Sequence, residues 1–174
     1  MTHTKKLTTS AVCLALCLLL PFLTGQLQQV GNMLCPMHLP VFLCAFLCGP
    51  VWAAGVGFLA PLLRSLLFSA PPIYPLALAM APELLTYGLT AGLVYAKGER
   101  TVPRLYRSLA AAMVAGRLVW GAARYLLAGL SGSEFSFAMF LSGALLTAWP
   151  GILLQLILLP PLVRTLEKTK LISA

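Results

Sequence analysis

The sequence predicts an all-α integral membrane protein, a single bundle of six transmembrane helices over residues 1–174, and three observations carry that prediction. Hydrophobic residues make up 60% of the chain and charged residues only 9%, with a mean hydropathy of +0.92, where a soluble domain carries about a quarter charged residues. Apolar runs of bilayer length recur between short polar stretches. The basic residues are grouped: nine of the twelve Lys and Arg fall at Lys5-Lys6, at Lys97, Arg100, Arg104 and Arg107, and at Arg164, Lys168 and Lys170. Such clusters read as cytoplasmic flanks of membrane spans. The formal charge of +8 therefore points to a bilayer and not to nucleic acid.

The first span is expected over about 7–24. Its 18 residues reach about 27 Å at helical rise, enough for a hydrocarbon core. Lys5-Lys6 ahead of an apolar run also resembles a signal peptide. No small-x-small cleavage site ends the run, and Leu16 before Cys17 is too bulky for a lipobox, so the segment reads as a retained helix with a cytoplasmic N-terminus. Residues 25–39 contain no Lys or Arg and carry Gln26, Gln28, Gln29 and Asn32, which places them outside.

The second span, about 40–48, covers only half a membrane at helical rise. The preceding loop must therefore descend into the outer leaflet with it. Pro36 and Pro40 each lack a backbone donor and push Cys35 and Leu39 toward extended geometry. Irregular backbone at membrane depth persists only where it is buried in protein or lines a cavity. Gly49-Pro50 turns the chain into a third span, about 51–68, giving a short hairpin in which Gly55 and Gly57 allow close helix packing.

After the uncharged outer loop 69–75, a fourth span is expected over about 76–95, with Pro82 as a kink beside Glu83. The basic loop that follows is cytoplasmic. A fifth span runs over about 105–128. A sixth, over about 137–163, is interrupted at Pro150-Gly151 and ends near Pro160-Pro161. Six crossings return the C-terminus to the cytoplasm, in agreement with its basic residues, and describe a multi-pass protein of a cell membrane. No internal repeat is visible, in contrast to secondary transporters built from inverted halves.

Ionisable residues inside apolar runs cost a few kcal/mol or more at the bilayer centre. There are four: Arg64, Glu83, Arg117 and Arg124. The topology puts all four in the outer half of the bundle. Arg117 and Arg124, seven apart, share one helix face. Glu83 pairing with one Arg while Arg124 snorkels outward is a purely structural explanation. Three positive charges against one negative nevertheless leave a local excess of +2, which calls for an anion or several acceptors. Arginine offers a bidentate fork to a carboxylate or phosphate. Trp120 lies on the arginine face and could stack on a flat ring or cover an apolar part. Asn32 and His38 from the loop, and Tyr87 one turn after Glu83, complete the candidate substrate-binding set.

Cys35, Met37, His38, Cys44 and Cys48 are close in sequence but match no four-ligand zinc spacing. No metal site and no cofactor is expected. The odd count of five cysteines, with two pairs at helical i,i+4 spacing, reads as small buried hydrophobes and not as a disulfide framework. There is no Asp anywhere, no HExxH, no Gly-rich phosphate loop and no second acid near Glu83, so no catalytic residues are assigned and an enzyme is not expected. In the first span, Ala11 and Ala15 form a smooth i,i+4 strip on which another helix can pack.

Together, AVCLA in the first span, PMHLPVFLCAFLCGPVWAAGVGFLAPLLRSLLF, PELLTYGLTAGLVY, AGRLVWG and WPGILLQLILLP resemble the substrate-binding S components of energy-coupling factor (ECF) vitamin transporters. The resemblance covers nearly the whole chain. It implies six helices holding one vitamin-like molecule near the outer face, with the first outer loop closing over it. It implies that Ala11 and Ala15 dock a membrane coupling (T) subunit, that two cytoplasmic ATPases hydrolyse ATP, and that the S component topples within a bacterial plasma membrane. Pantothenate, a folate-like acid and a benzimidazole nucleoside are all compatible. Two other readings stay open, a structural or assembly subunit with internally paired charges and a nickel- or cobalt-uptake S component.

Overall fold

A computed structural model describes residues 2–23, 33–133 and 135–168. Every regular element among them is helical. In chain order these are α1 (His3–Leu23), α2 (His38–Cys48), α3 (Pro50–Phe68), a π turn (Ile73–Ala77) leading directly into α4 (Leu78–Ala96), α5 (Val102–Ser131), the short α6 (Phe137–Leu141), a second π turn (Ser142–Leu146) and α7 (Trp149–Lys168). Among the described residues, four helical segments are long and apolar enough to cross a membrane: those beginning at His3, Pro50, Ile73 and Trp149.

α1 presents two unlike faces. Ser10, Cys13 and Cys17 point into the bundle, whereas Ala11, Val12, Ala15 and Leu19 are exposed; this is the division that 3.6-residue periodicity imposes on a surface helix. α2 is buried almost all round, at His38, Pro40, Val41, Phe42 and from Cys44 to Cys48. Pro40 is tolerated because it lies in the first turn, where backbone N–H groups have no intrahelical partner. The thiol of Cys44 lies 3.5 Å from the Ser10 hydroxyl, and that of Cys17 lies 3.5 Å from the Met37 carbonyl. Small polarizable side chains thus fill the α1–α2 seam. Gly49 ends α2 with φ 98°, a left-handed conformation that favours glycine, and Pro50 opens α3 at its first position.

α4 is the centre of the bundle, packed closely on α3 and α5. A methyl group at Gly57 would collide with the Leu84 carbonyl. One at Gly88 would lie 2.6 Å from the Ala53 carbonyl carbon, and one at Gly92 would lie 2.6 Å from the Pro50 Cα. Backbone meets backbone across this seam, the arrangement that small residues permit in membrane helices. Gly55, expected to share that role, faces open space.

α5 is the longest helix, 30 residues or about 45 Å, and extends beyond the predicted 105–128 at both ends. The break in the last helical segment falls at Ser142–Leu146 and not at Pro150-Gly151. Pro150 sits in the first turn of α7, where a missing donor is harmless. The Pro160-Pro161 pair does not stop α7, which continues to Lys168.

Contacts at both ends fix which helix ends lie together. At one end of the bundle, Tyr95 donates to Glu167 at 3.0 Å, Arg100 approaches the same carboxylate at 3.6 Å, and Arg164 donates to the Arg100 carbonyl at 3.2 Å. At the opposite end, the Tyr74 hydroxyl donates to the Leu127 carbonyl. The basic clusters of the α4–α5 loop and of the end of α7 therefore share one end.

Candidate functional site

The chain enters α2 through a tight turn. Cys35 has φ 47°, rare for a residue with a side chain, and its carbonyl accepts from the His38 N–H at 3.0 Å. Pro36, with its fixed φ, suits the second position of such a turn. The turn delivers Cys35 and His38 side by side into the bundle, at 8% and 4% exposure. Non-glycine residues held at positive φ cluster at functional sites.

Facing them, α4 contributes Glu83 and Tyr87, one turn apart on the same face and almost wholly buried. The Tyr87 hydroxyl donates to Glu83 Oε1 at 3.1 Å, and from α5 the Arg117 guanidinium reaches the same oxygen at 3.0 Å. His38 Nε2 stands 3.8 Å from that oxygen, beyond a direct hydrogen bond. Arg117 also donates to the Cys35 sulfur at 3.8 Å. Tyr87 is held by packing: its ring lies 5.0 Å from the His38 ring and 5.3 Å from Phe42. On its α5 side there is room only because residue 116 is glycine, since a methyl there would stand 2.6 Å from the Tyr87 ring.

The constellation thus draws on the turn before α2, on α2, on α4 and on α5. Its formal charges cancel between Glu83 and Arg117. Its hydrogen bonding is incomplete, because both nitrogens of His38 and the Nε of Arg117 are buried without a hydrogen-bond partner. A buried donor or acceptor left unmade costs about 1–3 kcal/mol, and such groups in native proteins call for an explanation such as a ligand or water.

Of the predicted site residues, His38, Glu83, Tyr87 and Arg117 meet here. Arg64 does not join them. It is 3% exposed and lies against α1, donating to the Leu18 carbonyl with its guanidinium 5.0 Å from the Phe22 ring and 5.5 Å from the Phe68 ring. Arg124 lies further along α5, 5.5 Å from the Phe135 ring. Trp120 packs between Phe135 and Phe140, at 6.1 and 6.2 Å. The excess of +2 inferred from the sequence is therefore split between two separate places, Arg64 against α1 and Arg124 further along α5. Asn32 lies outside the described residues. Ala11 and Ala15 are exposed on the outward face of α1.

Cys35 and Gly116 belong to the cluster; the sequence weighed Cys35 only as a metal ligand and a loop residue, and did not single out Gly116. The available signals were the position of Cys35 before Pro36 and of Gly116 before Arg117. A further contact bears on the loop: a methyl at Gly151 would lie 2.6 Å from the Met33 carbonyl, so α7 takes the segment preceding the Cys35 turn directly against its backbone. Among the described residues, no group of three or more His, Cys, Asp or Glu is arranged to hold a metal ion. An open depression of about 720 Å³ at the end of α5, lined by Leu126, Leu130 and Phe135 among others, is apolar and contains none of the cluster.

Compared with known protein families, residues 5–163 match the model described as the ECF transporter, substrate-specific component. No curated protein and no solved structure matches the chain.

Proposed function

The chain belongs to the ECF transporter substrate-specific component family, and from that premise we propose that its Glu83–Arg117–Tyr87–His38 cluster is the site where a vitamin or vitamin precursor is bound. Membership makes it a multi-pass membrane subunit of an ECF importer, associated with the T subunit and the ATPases and specific for a small molecule. The finer reading has six crossings with both termini cytoplasmic, a site opening toward the outer face, and toppling of the whole subunit in the plasma membrane of a bacterium. The basic clusters gathered at one end of the bundle support that orientation.

One observation carries the assignment of the site: three buried nitrogens around Glu83 lack partners although the carboxylate itself is well held. A solute presenting both donors and acceptors would complete His38 and Arg117, and Cys35 and Tyr87 would flank it. Asn32 remains a proposed contributor from the loop. Trp120 and Arg124 extend the site along α5. The packing of Arg64 against Phe22, Phe68 and the α1 backbone supports a structural role for that residue.

Glu83 and Arg117 also close on each other without a solute, at 3.0 Å, and this favours a second reading in which the charges only hold the bundle together. Mass spectrometry of small molecules released from the denatured, purified protein separates the two. The binding reading expects one species in near-stoichiometric amount from the wild type and none from a folded Arg117→Ala protein. Release of nothing from the wild type, or equal release from both, supports the structural reading.

A further inference from the structure

Arg117 and Arg124 stand on one face of α5, about 10 Å apart along its axis, and their surroundings differ in kind. Arg117 is matched by the Glu83 carboxylate. Among the described residues Arg124 has no carboxylate within ion-pair distance; its guanidinium lies over the Phe135 ring, and its Nε is buried without a partner. Arg124 is only partly buried, and the aromatic face offsets only part of what its buried Nε loses on leaving water. What completes such a group is an anion able to take the guanidinium fork.

Between the two arginines stands Trp120, three residues from one and four from the other. Its ring is fixed edge-on to Phe135 at 6.1 Å and tilted over Phe140 at 6.2 Å. Gly143 gives it room, since a methyl there would lie 2.7 Å from the indole. Gly121 does the same for Phe140, where a methyl would meet the ring. The strip between the arginines is therefore a rigid apolar wall.

We propose that the solute is an elongate monoanion with two unlike ends, its carboxylate or phosphate on Arg124 and an uncharged hydrogen-bonding head in the Glu83–Arg117–His38 cluster. An apolar middle would lie along Trp120. This inference rests on the reading of that cluster as the solute site. The head is uncharged because the cluster is already charge-balanced: a second anion would meet Glu83, and a cation would meet Arg117. The open valences there, two imidazole nitrogens and one guanidinium N–H, suit a head that both donates and accepts. The acid end belongs to Arg124 because, of the two arginines on this face of α5, it is the one with no carboxylate partner among the described residues, and the ends must be about 10 Å apart to reach both.

The test uses the full chain in lipid nanodiscs, incubated with a mixture of water-soluble vitamins, washed, denatured and analysed by mass spectrometry. The retained compound and its primary amide are then compared for affinity on the wild type, Arg124→Gln and Arg117→Gln. We expect a compound with a single acid group. Its conversion to the amide should weaken binding to the wild type by about tenfold or more, the worth of a charge-assisted hydrogen bond. On Arg124→Gln the same conversion should cost less than about threefold, because the partner is already gone. A retained compound with no acid or with two, or an undiminished amide penalty on Arg124→Gln, overturns the two-ended solute. Retention of a phospholipid alone, with its phosphate on Arg124, overturns it as well. If Arg117→Gln abolishes retention while Arg124→Gln leaves the acid-to-amide ratio unchanged, the binding site stands and the two-ended solute falls. If the folded wild type retains nothing, both fall.

Discussion

Replacing Glu83 by Gln keeps the shape of the side chain and removes its charge, leaving Arg117 uncompensated inside the bundle. At 3.0 Å the pair's gross attraction is about 5–6 kcal/mol at an effective dielectric constant near 20. The Tyr87 hydroxyl also loses a charged acceptor at 3.1 Å. Deleting one partner of a buried pair typically costs about 3–5 kcal/mol, and the 1% exposure of Glu83 places this pair in that class. Glu83→Gln should therefore lose about 3–5 kcal/mol of stability, measured by reversible denaturant titration of purified protein in mixed micelles. The double substitution Glu83→Gln with Arg117→Gln removes both charges, and should recover all but about 1 kcal/mol, since no uncompensated charge is then left buried. The reasoning is refuted if Glu83→Gln is as stable as the wild type, or if the double variant is destabilised by the sum of the two single effects.

Other outcomes follow from the same geometry. Arg64 shares no partner with the cluster, so Arg64→Met should change solute affinity by no more than about twofold, measured by isothermal titration. A tenfold loss would return it to the site. Gly88→Ala puts a methyl 2.6 Å from the Ala53 backbone, which cannot rotate aside, and should cost about 1–3 kcal/mol in the same denaturant titration. Gly116→Ala presses on the Tyr87 ring, and should weaken solute binding more than Gly116→Ala combined with Tyr87→Leu does relative to Tyr87→Leu alone. Ala11→Leu with Ala15→Leu alters only the exposed face of α1. It should leave stability within about 0.5 kcal/mol while reducing recovery of the T subunit in co-purification.

The sequence exposed the membrane character and the chance that Glu83 pairs with one arginine, without saying which, because apolar runs and their charged interruptions are one-dimensional signals. What it lacked was azimuth. Arg64 was assigned a depth compatible with the cluster, yet it turns toward α1, and no property of α3 read alone says which neighbour its residue 64 will face. The same limit separates Gly57, which meets the Leu84 carbonyl, from Gly55, which meets nothing.

Proline was also an ambiguous marker. Pro150 and Pro160-Pro161 looked alike as breakers, but the first lies in the first turn of α7 and the pair lies inside a continuing helix. The break that does occur, at Ser142–Leu146, carries no proline at all. The part that Cys35 and Gly116 play in the cluster was hidden for a different reason. A cysteine beside a proline and a glycine beside an arginine gain meaning only when Tyr87 and Arg117 are placed against them.

The most direct test of the proposed site is an experimental structure of the protein saturated with the compound it retains. The account predicts density for that compound within hydrogen-bonding distance of His38 and Arg117, beside Glu83 and Tyr87. Density confined to the apolar depression near Leu126 and Leu130, with the Glu83–Arg117 pair unchanged and His38 still unpartnered, would contradict it.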